Sequence, residues 1–393
     1  MNKKVLFRVK REAKYSGFVS RSILLVIAGA VILYAASTGL SYLVFNSVLK
    51  RPVNLSTPFG SLTDVTSNGG DQGTKDKPCP LNGTMYTKAR EDQWKQRRPL
   101  GVMIENHTDA RPITGLSRSD ITYETVAEGG ITRTLNIYLC QDAGDLAPVR
   151  SARTYFLDWV SEYDAAYAHV GGANTAGPAD ALGQIRDYGI LDMDQFGLGF
   201  PTYWRGTDKL APHNVHTTTT KLWDAAKIRG FGADNKDGKR WDDGFHVWKF
   251  KDDAPLESRG TQTSIVVPFW ANQPDYTVTW QYDKAANLYR RFIGTVSQVD
   301  PLTKEQMSPK TVIVQFETER TANDGYPDGH LLYGTIGSGD ALVFMDGKVI
   351  KETWNKKTRT ARTIYQDASG KEITFDRGQI WIQTTPVGNT VTY

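Results

Sequence analysis

The most apolar stretch of the chain lies close to its start. From Ser22 to Leu49 no residue is charged, and hydrophobic and small side chains predominate. At ~1.5 Å per residue, a helix of this length exceeds the ~30 Å hydrocarbon core of a bilayer. We therefore expect one transmembrane helix over residues 22–49, acting as a signal anchor. The alternative is a cleaved signal peptide, although the stretch is long for one and no clear small-residue cleavage site follows it.

The pattern changes twice after this stretch. Residues 52–78 are rich in Ser, Thr, Gly, Pro and Asp, and a short helical segment, KAREDQWKQRRP, follows them, so residues 50–98 are expected to form a linker. Strand and helix patterns then alternate over residues 99–255, which favours an α/β or α+β layered domain. The predicted strands are Leu100–Asn106, Ile121–Thr125, Thr132–Cys140 and Ala165–Val170, and the predicted helices are Thr154–Tyr163, Pro178–Asp187 and Thr219–Arg229.

Residues 256–393 have a different character. Segments such as SIVVPFW, YTVTWQYD and TVIVQFET alternate in polarity or are rich in aromatic residues, and turn residues separate them. This pattern predicts a mostly β domain. Within ALVFMDGKVIKETW, an Asp-Gly pair stands between two apolar runs, which predicts a hairpin turn at Asp346 and Gly347.

Charge is distributed unevenly along the chain. Residues 1–51 hold nine basic side chains and one acidic side chain, a net charge of +8. Because the whole chain carries +4, the remainder carries −4, which argues against a nucleic-acid-binding protein. Seven of the basic residues precede the apolar stretch and two follow it. The positive-inside rule therefore predicts a single-pass protein of the cell membrane, with residues 1–21 in the cytoplasm and residues 50–393 outside.

The chain has two cysteines, Cys79 and Cys140. Outside the membrane an even number suggests a disulfide, which would join the linker to the end of a strand. Two free thiols are the alternative. Neither cysteine stands at the end of the apolar stretch, so attachment of a lipid to a cysteine is not expected.

Many charged side chains follow the predicted strands of residues 99–255. Arginine suits phosphate or carboxylate ligands, because its guanidinium donates parallel hydrogen bonds and stays charged. Interleaved carboxylates would orient the arginines or hold a divalent ion. In open α/β sheets, ligand sites gather at the carboxyl ends of the strands. The candidate ligand-binding residues are Arg118, Asp120, Glu124, Glu128, Arg133, Arg150, Arg153, His213 and Asn214.

The same residues allow a second interpretation. Networks of glutamate and arginine are often internal braces, and Arg150 and Arg153 could simply flank the start of a helix. His213 and His216 have a spacing that zinc sites use, but no third ligand of cysteine or histidine type lies nearby in the sequence, which favours a histidine at the lip of the site over a metal site. The chain has no Walker motif and no G-x-S-x-G, so no catalytic residue, metal or cofactor is predicted, and whether it is an enzyme stays open.

Several segments, in order along the chain, resemble the YerB-type family of extracytoplasmic proteins. They are RPLGVMIENHTDARPITGLSRSDITYE, AEGGITR, PVRSAR, HVGG and APHN, followed by ALVFMDGKVIKETW and GKEITFDRGQIWIQTTP. The resemblance runs from about Pro99 to Pro386 and implies two domains whose function is unsettled. The family is named for a lipoprotein, whereas this chain keeps an apolar helix and lacks the lipid-bearing cysteine.

A fainter similarity links three segments to the LytR-CpsA-Psr enzymes, which transfer glycopolymers from polyprenyl pyrophosphate to the cell wall. The segments are SRSDITYE, PVRSART and AYAHVGGANTAGPADALGQI. The similarity implies that Arg118, Arg150 and Arg153 bind phosphates and that Asp120 helps to hold Mg²⁺. This chain has Ser151 where those enzymes have an aspartate, and AEGGITR resembles an insertion, so the similarity leaves catalysis in doubt.

The sequence supports three functions. The first is a membrane-anchored envelope protein that binds an anionic cell-wall or lipid-linked ligand, or docks on a wall-synthesis protein through its C-terminal domain. The second is a glycopolymer phosphotransferase, and the third is a structural partner of a membrane complex. Ligand binding predicts arginines that converge on an open cleft, whereas internal bracing predicts buried arginines paired with Asp120, Glu124 or Glu128.

Overall fold

Alternating apolar and polar residues fold into a structure in which strands predominate. The computed structural model describes residues 73–235 and 237–393, which belong to one compact unit. The predicted cytoplasmic segment and the predicted transmembrane helix, residues 1–49, lie outside the described residues. Among the residues that are described, no helix is both long and apolar enough to cross a bilayer. The membrane anchor therefore stays a prediction.

The helices are short and begin where the sequence supplies caps. Thr87, Asp180 and Thr218 each accept a hydrogen bond from a backbone N–H in the first turn that follows them, which satisfies a donor that the helix itself leaves free. A 3₁₀ turn, Ser161–Tyr163, extends the second helix to the end predicted for it. The described helices are α1 Lys88–Trp94, α2 Thr154–Val160, α3 Ala181–Asp187, α4 Gln195–Leu198 and α5 Thr219–Ile228.

The four predicted strands of residues 99–255 lie within a few residues of their predicted ends, and the sequence pattern missed four others, Leu191–Asp194, Trp204–Arg205, Val215–His216 and Lys249–Lys251. After residue 255 strands are the dominant element, as predicted. In chain order the strands are β1 Lys77–Pro78, β2 Met85–Tyr86, β3 Leu100–Glu105, β4 Ile121–Glu128, β5 Ile131–Tyr138, β6 Ala166–His169, β7 Leu191–Asp194, β8 Trp204–Arg205, β9 Val215–His216, β10 Lys249–Lys251, β11 Ser264–Val267, β12 Val278–Asp283, β13 Leu288–Ile293, β14 Val296–Ser297, β15 Thr311–Glu317, β16 Glu319–Thr321, β17 Leu331–Tyr333, β18 Gly337–Met345, β19 Lys348–Lys356, β20 Ile364–Gln366, β21 Thr374–Asp376 and β22 Ile380–Pro386.

One ten-stranded sheet contains strands from both halves of the chain. Its order is β20-β19-β18-β15-β22-β4-β5-β3-β6-β7, so five strands of residues 256–393 stand beside five strands of residues 99–255. The two sets meet where β22 pairs in parallel with β4, from Ile380 opposite Ile121 to Gln383 opposite Glu124. The two predicted domains are thus joined by continuous backbone hydrogen bonding.

The strand directions bring the carboxyl ends of several strands to one edge of this sheet. β3, β6 and β7 run in parallel, and β3 and β4 are both antiparallel to β5, so all four end at the same edge. We call this edge the carboxyl edge and the opposite one the amino edge. The loop 147–152 also lies at the carboxyl edge, because Glu105 N–H donates to Pro148 and Arg150 N–H donates to Met103.

Side chains alternate between the two faces of the large sheet, and each face is covered differently. On one face, Tyr123 of β4 stacks on Trp159 of α2 with ring centroids 5.1 Å apart. On the other, Trp381 of β22 meets Trp280 of β12 with ring centroids 5.3 Å apart. Strand β12 belongs to a four-stranded antiparallel sheet, β11-β12-β13-β14. We call these the helix-bearing face and the sheet-covered face.

The hairpin predicted at Asp-Gly is present between β18 and β19. Asp346 and Gly347 both adopt positive φ, 53° and 65°, as a two-residue type I′ turn requires. The register pairs Met345 with Lys348 directly across the turn. The chemistry of two turn residues therefore sets the register of the longest strand pair in the described chain.

Residues 77–98 are ordered, although the linker was expected to extend through residue 98. The short strands β1 and β2 pair, α1 follows them, and Leu81 and Trp94 are buried. Cys79 and Cys140 form a disulfide, the pairing that the sequence suggested. The part of the predicted linker that precedes residue 73 lies outside the described residues.

One buried carboxylate of the core, that of Glu317, lacks a full set of hydrogen-bond partners among the described residues. Glu317 of β15 is buried, accepts a hydrogen bond of 2.5 Å from Gln315, and has an Oε2 atom with no hydrogen-bond partner among the described residues. Desolvation raises the pKa of Glu317 to about 8, and the nearby charges of Asp158 and Glu162 add to the rise. Its burial is thus tolerated mainly in the protonated state.

We expect Glu317→Gln to raise stability at pH 8 by at least ~1 kcal/mol and to change it little at pH 4, since each unit of pKa shift corresponds to ~1.4 kcal/mol. The folded-state pKa lies above the unfolded value of 4.5. The native chain therefore loses stability as pH rises from about 4.5 to about 8, and the variant does not suffer this loss. Urea unfolding at both pH values measures the difference, and a difference that does not change with pH would contradict the prediction.

Candidate functional site

Arg118 and Asp120 lie at the amino edge, just before β4. Asp120 is buried and accepts hydrogen bonds from the backbone N–H groups of Leu139 (2.7 Å) and Cys140 (2.9 Å) and from the Asn82 side chain (3.0 Å). Desolvation raises the pKa of Asp120 to about 6, against the lowering effect of these two backbone donors. Asp120 therefore fastens the disulfide region to the sheet, and its oxygens are engaged by protein donors.

The arrangement implied by the LytR-CpsA-Psr similarity is not assembled. Arg118 contacts Gln141 at 3.4 Å, and β4, eight residues long, separates it from the carboxyl edge. At ~3.3 Å per residue this strand spans roughly 25 Å. Arg150 and Arg153 lie at that far edge, so they and Asp120 cannot contact one phosphate group together.

Glu124 lies in the core, on the sheet-covered face. Its Oε1 is 2.6 Å from Nη2 of Arg291 of β13, and both side chains are fully buried. Trp381 Nε1 donates to the other carboxylate oxygen at 2.9 Å. Glu124 therefore joins the two sheets and is not open to a ligand.

Glu128 binds both Arg133 and Arg153. Arg133 lies 3.5 Å from it, and Arg153 makes a close ion pair with it through Nε. Burial alone would raise the pKa of Glu128, but the two guanidinium charges lower it below its usual value. Arg133 also donates to the Ser151 carbonyl at 2.8 Å, and Arg153 donates to the Ala152 carbonyl at 2.6 Å. These two arginines are buried, as internal bracing predicts.

A β-bulge explains how Glu128 reaches these arginines. The pairing of β4 with β5 shifts register between Val126 and Glu128. A one-residue shift moves a side chain to the other face. Without it Glu128 would share the sheet-covered face with Glu124. Gly129 and Gly130, with φ of 57° and 79°, close the adjacent turn in the segment AEGGITR.

Arg150 and His213 meet at a different carboxylate, Glu105, the last residue of β3. Glu105 Oε1 lies 3.1 Å from Arg150 Nε, and Glu105 Oε2 lies 2.9 Å from His213 Nδ1. His107 stacks on His213, with ring centroids 4.8 Å apart and ring planes 18° apart. Glu105 is buried, whereas the Arg150 side chain is 25% exposed. We call Glu105, His107, Arg150 and His213 the carboxyl-edge cluster.

The sequence named Arg150 and His213 as candidate site residues but overlooked Glu105. It was assigned to the interior of a predicted strand, Leu100–Asn106. The sequence nevertheless contains a signal for Glu105. A carboxylate at the end of an apolar strand, immediately before Asn106 and His107, lies at the kind of strand end where α/β sheets place their ligand sites. The glutamate is the residue that holds the cluster together.

Asn214 and His216 lie beside the cluster and have their own partners. Asn214 donates to the Gly206 carbonyl at 3.0 Å and accepts from Arg205 at 2.7 Å. His216 lies between Asp145 (2.8 Å) and Asp208 (3.1 Å). The hydrogen bond to Asp145 is the largest cause of a raised His216 pKa, and Asp208 adds to it. His213 and His216 therefore do not converge on one ion.

The glycine turn of HVGG is also satisfied internally. Gly171 N–H donates to Asp194 Oδ1 at 2.8 Å, and the Gly171 carbonyl lies 2.8 Å from His169 Nδ1. The backbone N–H that might have met an external anion already has a carboxylate partner. This turn does not add to the carboxyl-edge cluster.

The fold and the position of the carboxyl-edge cluster define the class of protein to which the chain belongs. The chain is a two-domain, sheet-rich protein with a mostly β C-terminal region and a polar cluster at the carboxyl edge of its N-terminal strands. Residues 86–232 match the N-terminal domain, and residues 265–382 the C-terminal domain, of a family described as "Protein of unknown function (DUF3048)". The chain belongs to this family.

Two comparisons agree with this assignment. Over 309 residues the chain is 29% identical to a protein of Bacillus subtilis (strain 168) described as "Putative lipoprotein YerB", covering 78% of this chain and 86% of that protein. The crystal structure of YerB protein from Bacillus subtilis has a TM-score of 0.67 and 26% identity, covering 81% of this chain and 100% of that chain. The resemblance to the YerB-type family is confirmed.

Proposed function

We propose that this chain is a membrane-anchored, extracytoplasmic protein of the cell envelope that binds an anionic ligand at its carboxyl-edge cluster. The uncharged stretch of residues 22–49 and the basic residues before it support the anchor and its orientation. The relationship to a protein described as a lipoprotein supports the location outside the membrane, and the proposal assigns anchoring to the apolar stretch rather than to a lipid. The disulfide is typical of an oxidising compartment.

The guanidinium of Arg150 is the observation that carries the ligand proposal. Its Nε lies 3.1 Å from Glu105 Oε1 in an ion pair but makes no hydrogen bond, and neither Nη atom makes one within the described part of the chain. Arg133 and Arg153, by contrast, are buried against Glu128 and backbone carbonyls. A partly exposed guanidinium that lies beside a buried carboxylate and has its N–H groups unused can donate two parallel bonds to a phosphate or a carboxylate.

The phosphotransferase alternative lacks such support. Its proposed metal ligand, Asp120, and its proposed phosphate ligands, Arg150 and Arg153, lie at opposite edges of the sheet. We therefore retain a binding protein, with no Mg²⁺ or other cofactor required for that role. Docking of a wall-synthesis protein on the C-terminal domain stays a prediction.

We expect the full-length chain to bind farnesyl pyrophosphate or citrate, which serve as phosphate and carboxylate probes, and Arg150→Gln to weaken this binding at least ~10-fold. A hydrogen bond to a charged group contributes about 1.5–3 kcal/mol, and ~1.4 kcal/mol is tenfold in affinity. Isothermal titration calorimetry measures both constants. Arg290→Gln is the matched control, because Arg290 is also partly exposed and also pairs with one carboxylate, Asp283 (2.6 Å), but on β13. No binding of either probe, or an equal loss in the control, would contradict the proposal.

A further inference from the structure

His107, Asp109 and His213 are placed as a set of metal ligands. One ligand atom from each lies within 4.8 Å of the others. Imidazole nitrogen and carboxylate oxygen are two of the three ligand types that zinc takes from proteins, at ~2.0–2.2 Å. The side chains belong to two loops at the carboxyl edge, one following β3 and the other preceding β9, so small rotamer changes can bring the three atoms around one ion.

Glu105 gives His213 the form that a metal requires. The carboxylate accepts from His213 Nδ1 at 2.9 Å, which places the proton on Nδ1 and leaves the lone pair on Nε2. In metal sites a ligating histidine commonly donates its other ring N–H to a carboxylate in this way, which fixes the ring and strengthens the ligand. Arg150 Nε lies 3.1 Å from the other oxygen of this carboxylate, Oε1, so Glu105 contacts both side chains.

His107 completes the pair of imidazoles. Its ring stacks on His213 with planes 18° apart, and its Nδ1 accepts a hydrogen bond of 3.1 Å from the Asp109 backbone N–H, a bond that an ion at Nδ1 would replace. This bond begins the 3₁₀ turn Thr108–Ala110 and brings the Asp109 carboxylate to 3.7 Å from the same nitrogen. Two imidazole side chains and one carboxylate form a ligand set that suits a divalent ion of the zinc type.

We propose that His107, Asp109 and His213 bind one divalent transition-metal ion of the zinc type, and that Glu105 is the positioning residue for His213. Three protein ligands leave a fourth position for water or another ligand, as in zinc sites that are open to solvent. Magnesium does not suit the site, because it prefers oxygen ligands in octahedral geometry. The proposal does not depend on anion binding by Arg150.

The experiment is a zinc titration of the full-length chain after treatment with a chelator, with no anionic ligand added. We expect one Zn²⁺ per chain, detected by competition with a chromophoric chelator, and a Co²⁺ complex with the visible absorption of a four-coordinate ion. A large excess of Mg²⁺ should not displace the zinc. Absence of stoichiometric zinc binding by the native chain would overturn the proposal.

Variants separate ligation from folding. Asp109→Asn and His213→Gln should each lower zinc affinity at least 10-fold, and Glu105→Gln should lower it ~10–100-fold while the Co²⁺ spectrum keeps its four-coordinate form. Asp109 is 73% exposed, so its variant should fold normally. His246→Gln is the matched control, since His246 also faces one carboxylate, Glu372 (3.0 Å), on the surface. Unchanged affinity in Asp109→Asn and His213→Gln, or an equal loss in His246→Gln, would overturn the assignment.

Discussion

Replacing Arg291 by methionine is expected to lower the free energy of unfolding by about 3–5 kcal/mol, because the substitution leaves the buried carboxylate of Glu124 without its cation. Both side chains are fully buried, with Nη2 and Oε1 2.6 Å apart. The remaining donors to Glu124, chiefly Trp381 at 2.9 Å and Thr132 at 3.1 Å, are neutral and cannot offset a charge. The guanidinium also lies 5.0 Å from the Trp381 ring centroid, so this cation–π contact is lost as well.

Two variants give this expectation a sharp test in urea unfolding. Arg290→Met changes the neighbouring residue of β13, whose ion pair with Asp283 is partly exposed, and should lower the free energy of unfolding by less than ~1 kcal/mol. The double variant Arg291→Met with Glu124→Gln should be more stable than Arg291→Met alone, because no buried charge remains unpaired. A cost for Arg291→Met no greater than that for Arg290→Met would show that the pair does not join the two sheets energetically.

Local elements of the fold were predictable because local chemistry determines them. The caps at Thr87, Asp180 and Thr218 and the turn at Asp346 and Gly347 act within a few residues. The position of β22 was not predictable in this way. Its sequence, IWIQTTP, specifies a buried strand, but its neighbours, β15 and β4, come from distant parts of the chain. Pairing between distant strands depends on how the complete sheets pack, which no short window of sequence contains.

In the candidate site, too, some features follow from local sequence and others depend on distant parts of the fold. The sequence located a set of arginines near strand ends and named Asp120, Glu124 and Glu128 as possible partners, but it did not fix the full set of pairs. Glu124 and Glu128 lie four residues apart on one strand and would share a face in a regular strand, yet the bulge turns Glu128 toward Arg133 and Arg153. Because of this register shift, Arg133 and Arg153 pair with Glu128 and are not available to a ligand. Arg150 differs because its partner, Glu105, engages only the Nε side of its guanidinium.

The second large effect is expected at Glu162, which lies in the 3₁₀ turn after α2. Its carboxylate is fully buried and lies 3.0 Å from Lys356 Nζ and 2.8 Å from Arg362 Nη1. It also accepts from the Thr363 backbone N–H at 3.2 Å and from the Thr363 hydroxyl at 2.6 Å. All these donors belong to the C-terminal region. One carboxylate of the N-terminal region therefore compensates the charge of two buried cations of the C-terminal region.

We expect Glu162→Gln to lower the free energy of unfolding by at least ~3–5 kcal/mol at pH 7. The substitution keeps the shape of the side chain but removes the carboxylate charge that both cations contact. The matched control is Glu91→Gln, because Glu91 also faces two cations, Lys95 (2.9 Å) and Lys88 (3.4 Å), but on the surface of α1, where the cost should be below ~1 kcal/mol. Equal costs in the two variants, measured by urea unfolding, would contradict the prediction.

The pH dependence of the Glu162→Gln variant distinguishes a buried charge from a packing defect. Burial already lowers the pKa of Lys356 below 10.5, and Glu162 opposes this lowering. Without the carboxylate the folded-state pKa of Lys356 should fall further, whereas the unfolded value stays near 10.5. Between these two values the unfolded chain holds the lysine proton more tightly than the folded chain does, so the variant should gain stability relative to the native chain as pH rises toward 10. A packing defect would give a cost that is the same at pH 7 and at pH 10.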